Sequence, residues 1–550
     1  MVNYIAKVKE TVKASERQQK KEEDKDSEDL KMKMTTADML IKEELLFTKC
    51  LPIIEVLQKN GVPITTTHAS PVKAAQLLHT AVQTITDELA MASDSSFVWL
   101  RPATDLEDFM DCANKKGLFV TVYGLTLRCG VPLTDTHIKE ALQHTFRKVP
   151  SLRTCFRKRG DTLWACDMNH EELDFQVTEM KELAPAVESL LHLCFPTTEG
   201  PLWCARLLPA DAPGRCSRPQ LADALPYSRT LLLANHHGIA DGTTNMVVTD
   251  TFLCVLDNVV TGEPIDDAIQ HGKLVAGEES KAILTARVEE LMRDEAHFQQ
   301  LQEDLKKRKI KKKLIPRANP RARDPDFKCQ IVLRDLDKET TQRFIKKCKK
   351  EGVTVNSGLV AVCDAGIVDF VKDGGLEQDF YSIRGMHTVS MRRYWLGDTS
   401  KTLGVHMMPL EIAVSTPTEW RDNFWEYARS VHKVFSQGLQ EKDAVMFMAS
   451  MMGKSTEEDN FAERPPPECD YGAANMGNID RLIPTEGQQV RLIHLVRFTS
   501  CWNAPMHCLF HTLRGCFMYS LTYANDIMTR EDAEKLVDKT FDILIAVMQM

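Results

Sequence analysis

The sequence predicts a mixed α/β protein of two similar halves preceded by a helical segment, on three observations. After Trp99, short runs rich in Val, Thr, Tyr and Leu alternate with helical runs to the C-terminus. Near the middle of that region a stretch carrying Pro316, Pro320 and Pro325 reads as a crossover between two domains. Between Thr36 and Ala92 the apolar residues keep helical spacing alone, with Leu45, Leu46, Leu51 and Ile54 on one face.

Taken in order, residues 1–35 are a mixed-charge tract around Lys20-Lys21-Glu22-Glu23 and are expected to be a disordered tail. Residues 36–95 form a helical extension, broken once by Gly61-Val62-Pro63. The first half, 96–315, holds strands over 118–127, 202–208 and 230–235 and helices over 138–147, 184–194 and 244–260. A long charged helix over 278–313 closes it, a linker over 316–328 follows, and the second half fills 329–550.

Composition narrows the function. A chain of 550 residues with 43% hydrophobic and 27% charged residues exceeds one compact domain and buries a substantial core. A net charge of −9 argues against a dedicated nucleic-acid binder. No run of about 18 apolar residues is present to span a membrane, and residues 1–7 lack the apolar core of a signal peptide, so the expected location is cytoplasmic. The 16 cysteines are scattered without a C-x-x-C pair and read as reduced packing residues. The basic tract over 306–313 reads as the solvated end of the charged helix, ahead of contact with phosphates or a nuclear import signal. Met407, Met408, Met446, Met448, Met451 and Met452 read as ordinary core, although flexible apolar side chains also suit a tunnel wall.

One segment carries chemistry. A buried strand, Leu231-Leu232-Leu233-Ala234-Asn235, delivers His236-His237-Gly238-Ile239-Ala240-Asp241-Gly242 and then a helix start. A neutral imidazole held in a tight turn can present one ring nitrogen to a cavity as a general base. His237 is the candidate, with His236 packing locally behind it. Asp241 is read as shaping the turn through an ion pair with a distant arginine, and Gly242 as leaving room for a thin ligand. A metal site built from His236, His237 and Asp241 is disfavoured, because adjacent histidines project in different directions and no further ligand cluster follows. No metal is expected.

This segment resembles the HHxxxDG signature of the CoA-dependent acyltransferase superfamily, which includes peptide-synthetase condensation domains and alcohol acetyltransferases. Pro150-Ser151-Leu152-Arg153-Thr154-Cys155-Phe156, Pro201-Leu202-Trp203, Gly352-Val353-Thr354-Val355-Asn356, Val389-Ser390-Met391-Arg392-Arg393 and Asn475-Met476-Gly477 are similar to further family segments in the same order. The resemblance implies two chloramphenicol-acetyltransferase-like domains with an active-site tunnel between them. It implies that His237 takes the acceptor's proton and that Asp241 pairs with Arg392, Arg393 being the alternative. Asn475 and Thr243 would lie near the tunnel. Acyl-CoA is the implied co-substrate, with no bound cofactor and a small-molecule alcohol or amine as acceptor. No carrier-protein module stands in the chain, which favours free acyl-CoA over a carrier-bound donor. The DFGWG segment of the plant branch is absent, and Thr243 and Thr244 stand where chloramphenicol acetyltransferase has a histidine. Two rivals are a non-catalytic binding or scaffolding relative and a metal-dependent hydrolase. Two fused halves complete one site within a single chain, which is compatible with a monomer.

Overall fold

A computed structural model describes residues 96–440 and 464–550, apart from short stretches within 213–222, 276–277, 297–312 and 322–325. The chain divides into two compact units, Met1–Asp94 and Ser95–Met550. The expected tail over 1–35, the helical extension over 36–95, the basic residues 306–312 and Met446, Met448, Met451 and Met452 lie outside the described residues.

The larger unit opens with strand β1 (Phe97–Pro102), helix α1 (Asp105–Asn114), β2 (Val120–Cys129) and α2 (Asp135–Lys148). Next come β3 (Thr154–Arg159), β4 (Thr162–Met168), β5 (Phe175–Val177), α3 (Leu183–Glu188), β6 (Trp203–Leu207), β7 (Tyr227–His236) and α4 (Gly242–Thr261). A short strand β8 (Lys273–Leu274), α5 (Glu278–Met292) and α6 (Leu314–Ala318) lead into β9 (Cys329–Leu336), α7 (Lys338–Lys350) and α8 (Val355–Asp373). The remainder is β10 (Phe380–Ser390), β11 (Thr402–Leu403), β12 (Met407–Pro417), α9 (Phe424–Gln440), β13 (Tyr471–Asn478), β14 (Val490–Thr499), β15 (Met506–Leu513), β16 (Cys516–Ala524) and α10 (Arg530–Val547).

Two mixed sheets organise these elements. The first runs β14-β2-β7-β6-β5 and the second β12-β10-β13-β15-β16-β9, with a small sheet β1-β4-β3 beside them. The first sheet packs α2 and α4 on one face through Leu125, Leu127, Leu142, Phe252 and Leu256. Its other face, with Val120, Val122, Leu232 and Ala234, belongs to the same core as α8 and the second sheet. Helix α8 is buried on nearly all sides and mostly apolar, its buried Asp364 accepting from the Tyr427 and Tyr471 hydroxyls. It starts where Thr354 accepts a hydrogen bond from the Ser357 N–H at 3.1 Å.

One strand crosses between the halves. β14 comes from the chain's second half in sequence but pairs antiparallel with β2 as the edge of the first sheet. Its approach is pinned by α4: the Asp257 carboxylate accepts the N–H groups of Gln488, Gln489 and Val490 at 2.7, 2.8 and 2.8 Å. Asp250, two turns earlier on the same helix, accepts the Thr485 N–H at 2.9 Å. Residues seven apart share a helix face, so these two acids hold one segment.

The long charged helix expected over 278–313 differs. Helix α5 ends at Met292 and a turn follows at Arg293-Asp294. Lys313, expected on a solvated helix end, is buried. It precedes α6, whose Leu314 N–H donates to the Asp470 carboxylate at 2.7 Å. The helix expected over 184–194 is likewise short, ending at Glu188 before turns.

Candidate active site

Strand β7 lies between β2 and β6, and its Leu231–Ala234 run is buried on both faces, Leu231 and Leu233 in one core and Leu232 and Ala234 in the other. Alternation along the strand sends consecutive residues to opposite sides. His236 turns inward, against Phe156 and Phe195 at ring-centroid distances of 5.7 and 6.4 Å. Its Nδ1 accepts the Gly238 N–H at 2.9 Å, which leaves the ring proton on Nε2. That nitrogen lies 4.0 Å from Asp111 Oδ1 on α1. Burial, helped by neighbouring His237, pushes His236 down to about 3, so it stays neutral. Gly238 has no room for a side chain: a Cβ would stand 2.8 Å from the His236 ring and 3.0 Å from Phe156.

His237 faces the other way and lines a cavity of about 1680 Å³. Its Nδ1 lies 3.0 Å from the Ala240 carbonyl, which can only accept, so Nδ1 carries the proton and Nε2 holds a free lone pair. Burial keeps this imidazole below its ordinary value of 6.5, against the opposing pull of its own backbone, the Ala240 carbonyl and Asp241. It is therefore neutral at neutral pH.

Asp241 closes the turn and caps α4, accepting the Thr244 N–H on Oδ1 at 3.0 Å. Its Oδ2 accepts from Arg392 and from the His406 N–H, the latter at 3.0 Å. Burial alone would raise this carboxyl, but the Arg392 charge and these hydrogen bonds hold it below its ordinary 3.8. Arg392 is itself clamped, donating to Thr402 Oγ1 at 2.7 Å and to the Thr402 carbonyl at 3.0 Å. It sits in a tight turn, Met391–Tyr394, directly after β10. The neighbouring Arg393, the alternative partner, instead lies over the Tyr394 ring at 5.7 Å. Thr244 completes the clasp: its Oγ1 donates to the Gly404 carbonyl at 2.9 Å and accepts the Gly404 N–H at 3.0 Å.

Gly242, Thr243, Asn475, Met476, Met407 and Met408 all line the same cavity. A Cβ on Gly242 would meet Met476 Sδ at 2.9 Å. Asn475 is fixed by donating to Asn356 Oδ1 at 3.0 Å and accepting the Gly477 N–H at 2.7 Å, which brings two sequence-distant segments together. His406 and His387 are both buried. The former donates from Nε2 to the Leu403 carbonyl at 3.0 Å, and the latter packs edge-on against Phe435 and Tyr471.

Two cavity residues had no sequence signal. Arg497 on β14 and His507 on β15 both line the space that His237 faces. Burial, and then the nearby His237, lower His507 to about 4. Among the described residues no group of three or more His, Cys, Asp or Glu is placed to hold a metal ion. The three residues of the disfavoured metal site are engaged separately: His236 faces Asp111, His237 faces the cavity, and Asp241 faces Arg392.

No protein-family profile matches the chain, and no curated protein matches it by sequence. Solved structures do match in fold. The TRI3 trichothecene 15-O-acetyltransferase from Fusarium sporotrichioides superimposes with TM-score 0.59 at 13% identity, covering 83% of this chain and 97% of that one. The first condensation domain of the calcium-dependent antibiotic synthetase, solved with a substrate analogue, gives TM-score 0.57 at 13% identity over 82% of this chain and 96% of that one. The epimerization domain from the third module of tyrocidine synthetase B gives 0.54 at 12% identity, over 83% and 98%. The chain has the condensation-domain fold, shared with two-domain acyltransferases. Among the described residues no single helix is long and apolar enough to cross a membrane.

Proposed function

We propose that the protein is an acyltransferase that moves an acyl group from an acyl-CoA thioester to a small alcohol or amine, with His237 as general base. The observation that carries this is the His237 tautomer: Nδ1–H is engaged by the Ala240 carbonyl, so the basic Nε2 is the nitrogen left for the cavity. In the reaction Nε2 takes the acceptor's O–H or N–H proton as that oxygen or nitrogen bonds to the thioester carbonyl carbon. The tetrahedral oxyanion collapses, the C–S bond breaks, and the imidazolium returns its proton to the departing thiolate. Asp241 acts on geometry, because both its oxygens are occupied by Thr244, His406 and Arg392.

The cavity wall supports a two-substrate reading. It is contributed by both halves of the unit, with His237 and Thr243 from one and Met407 and Asn475 from the other. Reactants held on either side of one base gain from proximity without further chemistry. The test is acceptor-dependent thiol release from acyl-CoAs by wild type and His237→Ala. Turnover is expected in wild type, with a loss of at least about a hundredfold in the variant at unchanged stability. Equal turnover in the two proteins removes His237 from the chemistry.

A further inference from the structure

We infer that Arg497 is a carboxylate-binding residue of the cavity, so that one of the two substrates carries an anionic group; the naming of those substrates rests on the acyl-transfer reading above. Four arginines are fully buried among the described residues: Arg229, Arg384, Arg392 and Arg497. Three of them are neutralised within the chain, by Asp135, Glu411 and Asp241 respectively. Arg497, 4% exposed, has no carboxylate partner among the described residues.

Every group that holds Arg497 is neutral. Its Nη2 donates to the carbonyls of Ala474 and Phe510 at 3.1 and 2.8 Å, and its Nε reaches His511 Nδ1 at 3.4 Å. With Nδ1 accepting, His511 carries its one ring proton on Nε2 and donates it to the Leu495 carbonyl at 3.1 Å. Burial and the Arg497 charge hold it well below its ordinary value, so it is an uncharged acceptor. The Tyr123 hydroxyl lies against the same guanidinium, and burial pushes that phenol up to about 12, so it is no anion either. Tyr123 and Arg497 stand opposite each other where β2 pairs with β14, and both line the cavity.

A guanidinium removed from water without a counter-charge is costly, and the chain avoids that cost at its other three buried arginines. The exception lies on the wall of the cavity that His237 faces, on a strand pinned in place by Asp257. Three neutral acceptors take both Nη2 protons and the Nε proton and hold the guanidinium rigidly, which leaves Nη1 to donate charge-assisted, directional hydrogen bonds to a carboxylate in the cavity. The missing negative charge thus comes from the cavity's occupant. Either the acyl chain or the acceptor supplies it.

The test uses calorimetric titration of the full chain and of Arg497→Gln and Arg497→Lys with hexanoate, adipate and uncharged 1,6-hexanediol, then with butyryl-CoA and succinyl-CoA. Hexanoate and adipate are expected to bind wild type at least about tenfold more tightly than the diol, a preference lost in Arg497→Gln and partly kept in Arg497→Lys. Tighter binding of succinyl-CoA than butyryl-CoA places the anion on the acyl chain. Equal binding of the two thioesters with the free carboxylates still preferred places it on the acceptor. Carboxylate binding that depends on Arg497 while no thioester binds supports the site and counts against acyl transfer. The inference is overturned if the diol binds wild type as tightly as adipate, or if Arg497→Gln keeps the carboxylate preference. Should Arg497→Gln fail to fold, the wild-type preference and its weakening in Arg497→Lys decide the matter alone.

Discussion

Replacing Asp241 by Asn separates a structural acid from a chemical one. The wild-type carboxylate is 4% exposed and Arg392 is 6% exposed, so the pair sits away from bulk water. Asn at this position keeps one oxygen, enough to cap α4 at Thr244 or to accept from Arg392 and His406, but not both. Its amide nitrogen then faces donors. The guanidinium keeps its contacts with Thr402 and Gly404 but loses its counter-charge. Removing one partner of a buried pair costs about 3–5 kcal/mol. For a unit of about 450 residues the unfolding entropy near the midpoint is about 1 kcal/mol/K, which converts that loss to about 3–5 °C in Tm. Urea unfolding followed by tryptophan fluorescence gives the free energy, and a thermal scan the midpoint. Activity is expected to fall together with stability. An Asp241→Asn protein that is inactive yet unfolds like wild type, within about 0.5 kcal/mol, would refute the structural role and put Asp241 in the chemistry.

Further expectations rest on separate observations. Because burial lowers His237 below 6.5, the neutral base predominates at pH 7 and is lost as pH falls through that lowered value. The acid limb of kcat/KM is therefore expected below pH 6.5, and a limb centred above that pH contradicts the assignment. Gly242→Ala places a methyl against Met476, whose flexible side chain can shift. It is expected to change stability by less than about 1 kcal/mol while raising KM, and an unchanged KM shows that ligands do not pass this point. Asp257→Ala removes the acceptor of three backbone N–H groups ahead of β14. A loss of about 2–4 kcal/mol is expected in urea unfolding, and near-neutrality means the crossover strand is held by β2 alone.

The motif turn was legible in the sequence because its determinants are local. An apolar strand, two histidines, a glycine with no space for a Cβ and an N-capping Asp all lie within one short segment. Arg392 was legible only through a resemblance, which left Arg393 as the alternative. It lies in a tight turn after β10, where extended-strand alternation no longer decides which of two adjacent arginines faces Asp241. The course of β14 was not legible at all. Residues 490–499 alternate as any strand does, and nothing local states that the partner is β2, more than 350 residues earlier. Arg497 and His507 were missed for the same reason, since their place at the cavity follows from long-range pairing. Charge spacing also misled over 278–313, where the helical pattern does not show the turn at Arg293-Asp294.

The central claim is that the free Nε2 of His237 acts as base on a thioester substrate. Acceptor-dependent thiol release, measured across acyl-CoAs of increasing length with alcohol and amine acceptors, tests it most directly when run beside thermal-shift binding on wild type and His237→Ala. The account predicts release in wild type only, with the same thioesters raising the melting temperature of both proteins. A His237→Ala protein that binds those thioesters and releases thiol at the wild-type rate would contradict it.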